Sequence, residues 1–220
     1  MKLVLQLLLW LVIIFLGWKL YKSVIGPVEF NKIKDQRYAK VINNLKDIKA
    51  AQLAHKEITG KFTGSFDSLV RFIDTAEFAN IERRDTSYAD VAKNRAFGLA
   101  EGYYIEDIVI DTLGFTPVKD SLFHGTDRYK QMMNVPVEGT EAKFELIASS
   151  IEKSGTVYSV FESKVSKDIV LQGLNEDLLS QEKQVISVEG VNGPSIKVGS
   201  LTEVNTSGNW PKIYDSAKEQ

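Results

Sequence analysis

The chain of 220 residues contains no cysteine, two histidines and no internal repeat or low-complexity tract. Without thiols there are no disulfides and no thiolate metal sites, in a reducing or an oxidising compartment alike. With only His55 and His124, a multi-histidine metal centre has no ligand set. The P-loop, GxGxxG, HExxH and GxSxG patterns are all missing. Asp120, Ser121 and His124 stand close in sequence, but a catalytic triad is assembled across a fold, so that cluster reads as a loop. The acid pairs Glu106-Asp107 and Glu176-Asp177 lack the spacing of a calcium loop. Nothing here points to an enzyme, and no cofactor is implied.

What the chain does have is an apolar start. From Leu3 to Leu20, thirteen of eighteen residues are Leu, Ile, Val or Phe. As a helix this stretch covers roughly 27 Å, close to one hydrocarbon core. At the usual gain per apolar residue, insertion into a bilayer is favoured by about 5 kcal/mol, which the single amide of Gln6 does not reverse. Trp18 and Tyr21 fall where interfacial aromatics belong, and Lys19 and Lys22 can reach the headgroups. Trp10 lies mid-span. Gln6, Trp10 and Gly17 are the positions expected to meet partner helices, since polar and small groups in lipid favour helix contacts. Residues 22–27 (KSVIGP) show no small-x-small cleavage pattern, so the segment reads as an uncleaved signal-anchor with membrane lipid as its first partner.

The net charge of −2 conceals an asymmetry. Residues 1–100 carry 16 Lys and Arg against 10 Asp and Glu, whereas residues 101–220 carry 11 against 19. A basic half suits a position over anionic headgroups, and the acidic half argues against nucleic acid as a partner. Lys22, Lys32, Lys34, Arg37 and Lys40 would by themselves hold the large domain in the cytoplasm. Long domains cross regardless of charge, however, and an anchor with a one-residue basic head is also what an exported domain shows. We read the chain as a single-pass protein of an inner membrane with its C-terminal domain in the periplasm.

Along the chain, Gly26-Pro27 is expected to interrupt the helix and Asn31 to restart it. From Asn31 to Thr59, Tyr38, Val41, Ile42, Leu45, Ile48 and Leu53 share an arc, the signature of an amphipathic helix on a sheet. Gln52 lies inside that arc, either bonded in the core or facing a partner chain. Gly60 suits the residue after a helix end, and Ser65 suits the cap of a second helix. Residues 75–100 are charged and weakly periodic, which predicts a partly helical excursion or loop whose Arg83-Arg84 pair is available to an anionic partner. Beyond Gly102 the period becomes strand-like at 103–112, 115–119, 143–148, 157–163, 165–171, 184–188 and 195–199. Asn175 is placed to cap a helix at 176–183. These elements predict an α+β fold in three parts: an anchor and juxtamembrane link at 1–26, a helical membrane-proximal part at 27–100, and an antiparallel β-rich part at 101–220, the last two forming one continuous domain.

The helix 41–53 with its Ala50-Ala51-Gln52 face, then Gly60-Lys61-Phe62 and Ser65-Phe66-Asp67-Ser68-Leu69, resembles the front of bacterial type IV pilins and secretion-system pseudopilins. The resemblance covers residues 3–75 and implies a membrane-tethered, pilin-like subunit, with an amphipathic helix packed on a mostly antiparallel sheet. The family's Gly before a Phe or Met at the processing site, and its Glu five residues into the apolar helix, have no counterpart here. The resulting expectation is a structural or accessory subunit of a bacterial envelope assembly, secretion- or translocation-related, joined to other membrane protein subunits or to copies of itself. The alternative is a tethered extracytoplasmic module that binds a soluble ligand or partner protein.

Overall fold

A computed structural model describes residues 2–215. It is an α+β structure with a long N-terminal apolar helix and two small antiparallel sheets. Helix α1 (Lys2–Thr59) is continuous through Pro27. The expected break is absent because Gly26, the residue a proline ring normally crowds out of helical geometry, has no Cβ to crowd. Pro27 still removes one hydrogen bond, the one Ser23 would have accepted, and Asn31 is an interior helical residue rather than a cap. At 1.5 Å per residue, α1 is about 87 Å long. One window of it, with mean hydropathy 2.3 and no burial, is long and apolar enough to cross a membrane.

Burial on α1 begins at Phe30 and becomes regular from Tyr38 through Val41, Ile42, Leu45, Ile48 and Ala51. This stripe packs on the sheet formed by β3 (Glu145–Lys153), β4 (Thr156–Ser166) and β5 (Ser195–Gly199), in the order β3-β4-β5. Phe161, Val165, Ile196 and Val198 supply the sheet's side of the core. The β3–β4 turn is Ser154-Gly155, both left-handed, the geometry that suits a two-residue hairpin. Gly60 (φ +81°) ends α1 as anticipated, and Phe62 then packs against Phe161 with ring centres 4.7 Å apart and the rings tilted by 55°. Ser65 accepts from Ser68 N at 3.3 Å to start α2 (Phe66–Thr75).

The chain forms two compact units. One combines everything up to Val70 with Asp127 onward, and the other is Arg71–Thr126. The second unit holds the main departure from expectation. Residues Glu77–Ala89 are a strand, β1, where the sequence predicts a partly helical excursion or loop within a helical part ending at residue 100. After the short helix α3 (Val91–Ala96), β1 pairs antiparallel with β2 (Tyr104–Pro117), which fuses the two separate runs anticipated there. Helix α4 (Val118–Phe123) closes this unit.

In the first unit two further runs are not strands. Lys167–Val170 is a single helical turn, α5, because Ser166 Oγ accepts from Asp168 N and turns the chain. Residues 184–188 pair with no strand, and Ile186 and Val188 are each 93% exposed. Helix α6 (Glu176–Lys183) is capped as anticipated, with Asn175 accepting from Leu178 N at 3.0 Å.

Candidate functional site

Two strands alone make a ribbon with both faces and both edges open, an arrangement that is marginal in water unless something covers it. Because side chains alternate, the β1–β2 register sorts them into two faces. One face carries Ile81, Arg83 and Asp85 from β1, opposite Thr112, Ile110 and Ile108 from β2. A bulge between Asn80 and Ile81 leaves Leu113 unpaired, after which Phe115 returns to this same face opposite Ala79. Ile110 is 56% exposed and Phe115 65%, with Ile81, Tyr104 and Ile108 also open. The other face is charged: Arg84 sits between Glu82, at 3.9 Å, and Asp111, to which it donates directly, with Asp107 further along. The first face is the more apolar, although Val109, Ile105 and Tyr88 are exposed among the charges of the other.

The turn of the ribbon is built rather than loose. Asn94, almost fully buried, donates from Nδ2 to Tyr103 O (3.0 Å) and accepts from Tyr103 N (2.8 Å). Asp90 caps α3 through Lys93 N, and Lys93 Nζ lies 4.4 Å above the Tyr103 ring. Val91, Phe97 and Leu99 are left exposed around this frame. Together with the ribbon's first face these side chains form a large exposed apolar surface. Residues 71–126 carry 6 Lys and Arg against 10 Asp and Glu, a balance that repels phosphate backbones and anionic headgroups.

No family model, characterised protein or solved structure matches the chain. Its functional reading therefore rests on its own residues.

Within the first unit, the most demanding chemistry is a buried charge cluster. The Lys167 ammonium is fully buried and uses all three protons, donating to Glu182 Oε1 (3.1 Å), Glu182 O (2.6 Å) and Val191 O (2.8 Å). Glu182 also accepts from Tyr38 OH and from Lys34 Nζ, each at 3.1 Å. Burial holds the Lys167 ammonium below its ordinary pKa, opposed by the neighbouring carboxylate. Burial, with Glu182 next, pushes the Tyr38 phenol far up. Tyr214 is raised to about 12 by burial and then by Asp35, which its hydroxyl contacts at 3.4 Å. The Lys167 ammonium and the Tyr38 hydroxyl are satisfied inside the chain, so the cluster fastens α1 to α6, and the Tyr214 contact with Asp35 adds the C-terminal segment. A buried lysine after a β-branched run carries no distinctive sequence pattern, and the sequence reading missed it.

On α1 itself, an open groove of about 740 Å³ runs past Asn43, Asn44 and Asp47 toward Arg128, Gln131 and Asn134. Asn44 donates to Asn134 O (3.0 Å), and Arg128 pairs with Asp47 at 3.2 Å. Among the described residues no group of three or more His, Asp or Glu side chains is placed to hold a metal ion. Asp120 and Ser121 lie in α4, and His124 follows it in a left-handed conformation, its backbone N donating to Asp120 O.

The anticipated membrane positions Gln6, Trp10, Gly17, Trp18, Lys19, Tyr21 and Lys22 all lie on the exposed part of α1. Lys22 Nζ stands 4.6 Å over the Trp18 ring, and nothing lies within 4 Å of the space a Cβ on Gly17 would take. Gln52 does not face outward. It is fully buried, donating to Thr63 O (2.6 Å) and accepting from Thr63 N (3.1 Å), which is the core use of the two the sequence allows. Arg83 and Arg84 are in β1 on opposite faces of the ribbon, so they do not act as a pair. The apolar face beside Arg83 was hidden from sequence reasoning because which side chains share it depends on the pairing of β2 with β1 and on the bulge that returns Phe115 to it.

Proposed function

We propose that this chain is a non-catalytic, single-pass membrane subunit that takes part in a larger bacterial envelope assembly, secretion- or translocation-related, with its folded domain in the periplasm. The observation that carries the reading is the ribbon, whose exposed isoleucines and aromatics call for a protein cover, in a chain that also has an apolar helix able to lie in lipid. The pilin-like comparison belongs to the same proposal, supported by an apolar helix that continues into a buried stripe on a small antiparallel sheet. Gln6, Trp10 and Gly17 supply the contacts within the bilayer, and the partners are other membrane subunits or copies of the chain, without nucleic acid.

The test is the mass and composition, in mild detergent, of whatever copurifies with a C-terminally tagged chain at native expression. Stoichiometric membrane partners or a discrete homo-oligomer, diminished by Gln6→Leu or Gly17→Leu, are expected. A monomer recovered alone would overturn the assembly reading. The amide-lined groove at Asn43, Asn44 and Asn134 favours the second reading, a tethered module that binds a polar ligand, which ligand-induced stabilisation of the monomer would reveal.

A further inference from the structure

We propose that the apolar face of the β1–β2 ribbon closes on the same face of a second copy of the chain, about a two-fold axis at the level of Arg84. The inference rests on the assembly reading above and names one partner within it.

The argument is in the register. Along β2 this face presents Phe115, Thr112, Ile110, Ile108, Glu106 and Tyr104 in order. The row is nearly the same read from either end: aromatic, polar, isoleucine, isoleucine, polar, aromatic. Its midpoint lies between Ile110 and Ile108, level with the midpoint between their β1 partners Arg83 and Asp85. A second copy turned end for end about that level sets Ile110 on the other copy's Ile108 and Phe115 on the other copy's Tyr104. The same rotation lays the guanidinium of Arg83 over the carboxylate of the other copy's Asp85. Each contact then occurs twice, as an isologous interface requires.

Charge discriminates between the faces. On the opposite face the same operation would bring Arg84 to Arg84 and Asp111 to Asp107, placing like charges together. Lipid is a poor cover for the apolar face, since Arg83, Asp85 and Glu106 interleave with the isoleucines and hydrocarbon cannot pair them. Area agrees as well. From their exposures, Ile81, Tyr104, Ile108, Ile110 and Phe115 offer about 600 Å². A stable interface takes about 800 Å² from each partner, and the interleaved polar residues supply the remainder.

The chain has no cysteine, so both a mass measurement and a site-specific cross-link are clean. Light scattering in mild detergent across a concentration series should find a dimer for the native chain. Arg83→Asp and Asp85→Arg should each weaken it about tenfold or more, because each sets like charges face to face twice, and the double exchange Arg83→Asp/Asp85→Arg should restore it. Ile110→Cys should give a covalent dimer with a short bis-maleimide, and Val109→Cys, on the other face, should not. Single exchanges that leave the dimer intact would overturn the proposal, since the copies are then joined elsewhere. A double exchange that stays monomeric would overturn this register. A native monomer would overturn the pairing too. If that monomer still copurifies with other membrane subunits, the assembly reading stands and only the partner is wrong.

Discussion

Replacing Glu182 by Gln should destabilise the first unit by about 3 kcal/mol, at the lower end of what breaking a buried ion pair costs. Glu182 takes three donors at 3.1 Å, from Lys167, Lys34 and Tyr38, and one of them, the Lys167 ammonium, has no contact with water. The amide keeps the volume, so the loss reports charge and hydrogen bonding rather than a cavity. Lys167→Met should cost a similar amount by a different route, because the carbonyls of Glu182 and Val191 each lose their lysine donor. Made together, the two changes should cost well under their sum, since each single variant already forfeits the shared interaction; a coupling of about 2 kcal/mol is expected. The assay is urea unfolding of the detergent-solubilised chain, followed by near-ultraviolet circular dichroism. The pH dependence adds a second reading. Lys167 is held below its ordinary pKa, so between its folded value and 10.5 the unfolded chain binds more protons, and this group's contribution makes stability rise with pH. Glu182→Gln removes the group that opposes the shift, so that rise should begin at lower pH and be larger in total. A cost below about 1 kcal/mol, as for an exposed pair, or strict additivity of the two changes, would refute the account of a shared buried network.

Tyr38 and Tyr214 should titrate late. Tyr214 is raised to about 12 and Tyr38 further, so the stability they contribute is complete below pH 10 and is lost as pH rises through their folded values; absorbance at the tyrosinate band should show the delay, and Tyr38→Phe and Tyr214→Phe should each remove one late proton. Ser163 Oγ is buried without a hydrogen-bond partner, so Ser163→Ala should leave stability unchanged or raise it by about 1 kcal/mol, measured by the urea midpoint. Gly199 has φ +79°, and a Cβ there would overlap the Phe161 carbonyl, so Gly199→Ala should lower the melting temperature well beyond the effect of a surface change.

The parts of this fold that could be read from sequence are those fixed by neighbours a few residues away. Asn175 with Glu176 and Asp177, Ser65 before Phe66, and Gly60 after Thr59 each satisfy a helix end locally, and each is found in that role. The amphipathic stripe from Tyr38 through Ile48 was legible for the same reason, since its period is internal to one helix, but Leu53, assigned to the same arc, is exposed where the helix runs past the sheet's core and Ala51 and Gln52 are buried instead. What escaped depends on distant partners. Strand β1 is rich in Glu, Arg, Asp and Ala, which suit a helix or a loop, and it is extended because β2, fifteen residues or more further on, offers a hydrogen-bond ladder. Val165–Leu171 has the β-branched composition of a strand, but Ser166 turns it so that Lys167 can reach Glu182. The ribbon's apolar face is a product of register, and register is not written in either strand alone.

The unbroken passage of α1 through Pro27 gives the molecule the mechanics of a lever. A hinge at Gly26-Pro27 would let the folded part wander independently of the apolar segment; a continuous helix makes the two turn together. From Leu20 to Ala54 the axis runs about 50 Å, so with the apolar segment placed in a bilayer an ordinary tilt of about 20° would displace the far end of the buried stripe sideways by about 17 Å. Bilayer thickness would therefore become a steering input, swinging the domain across the membrane surface and changing which neighbours it can reach.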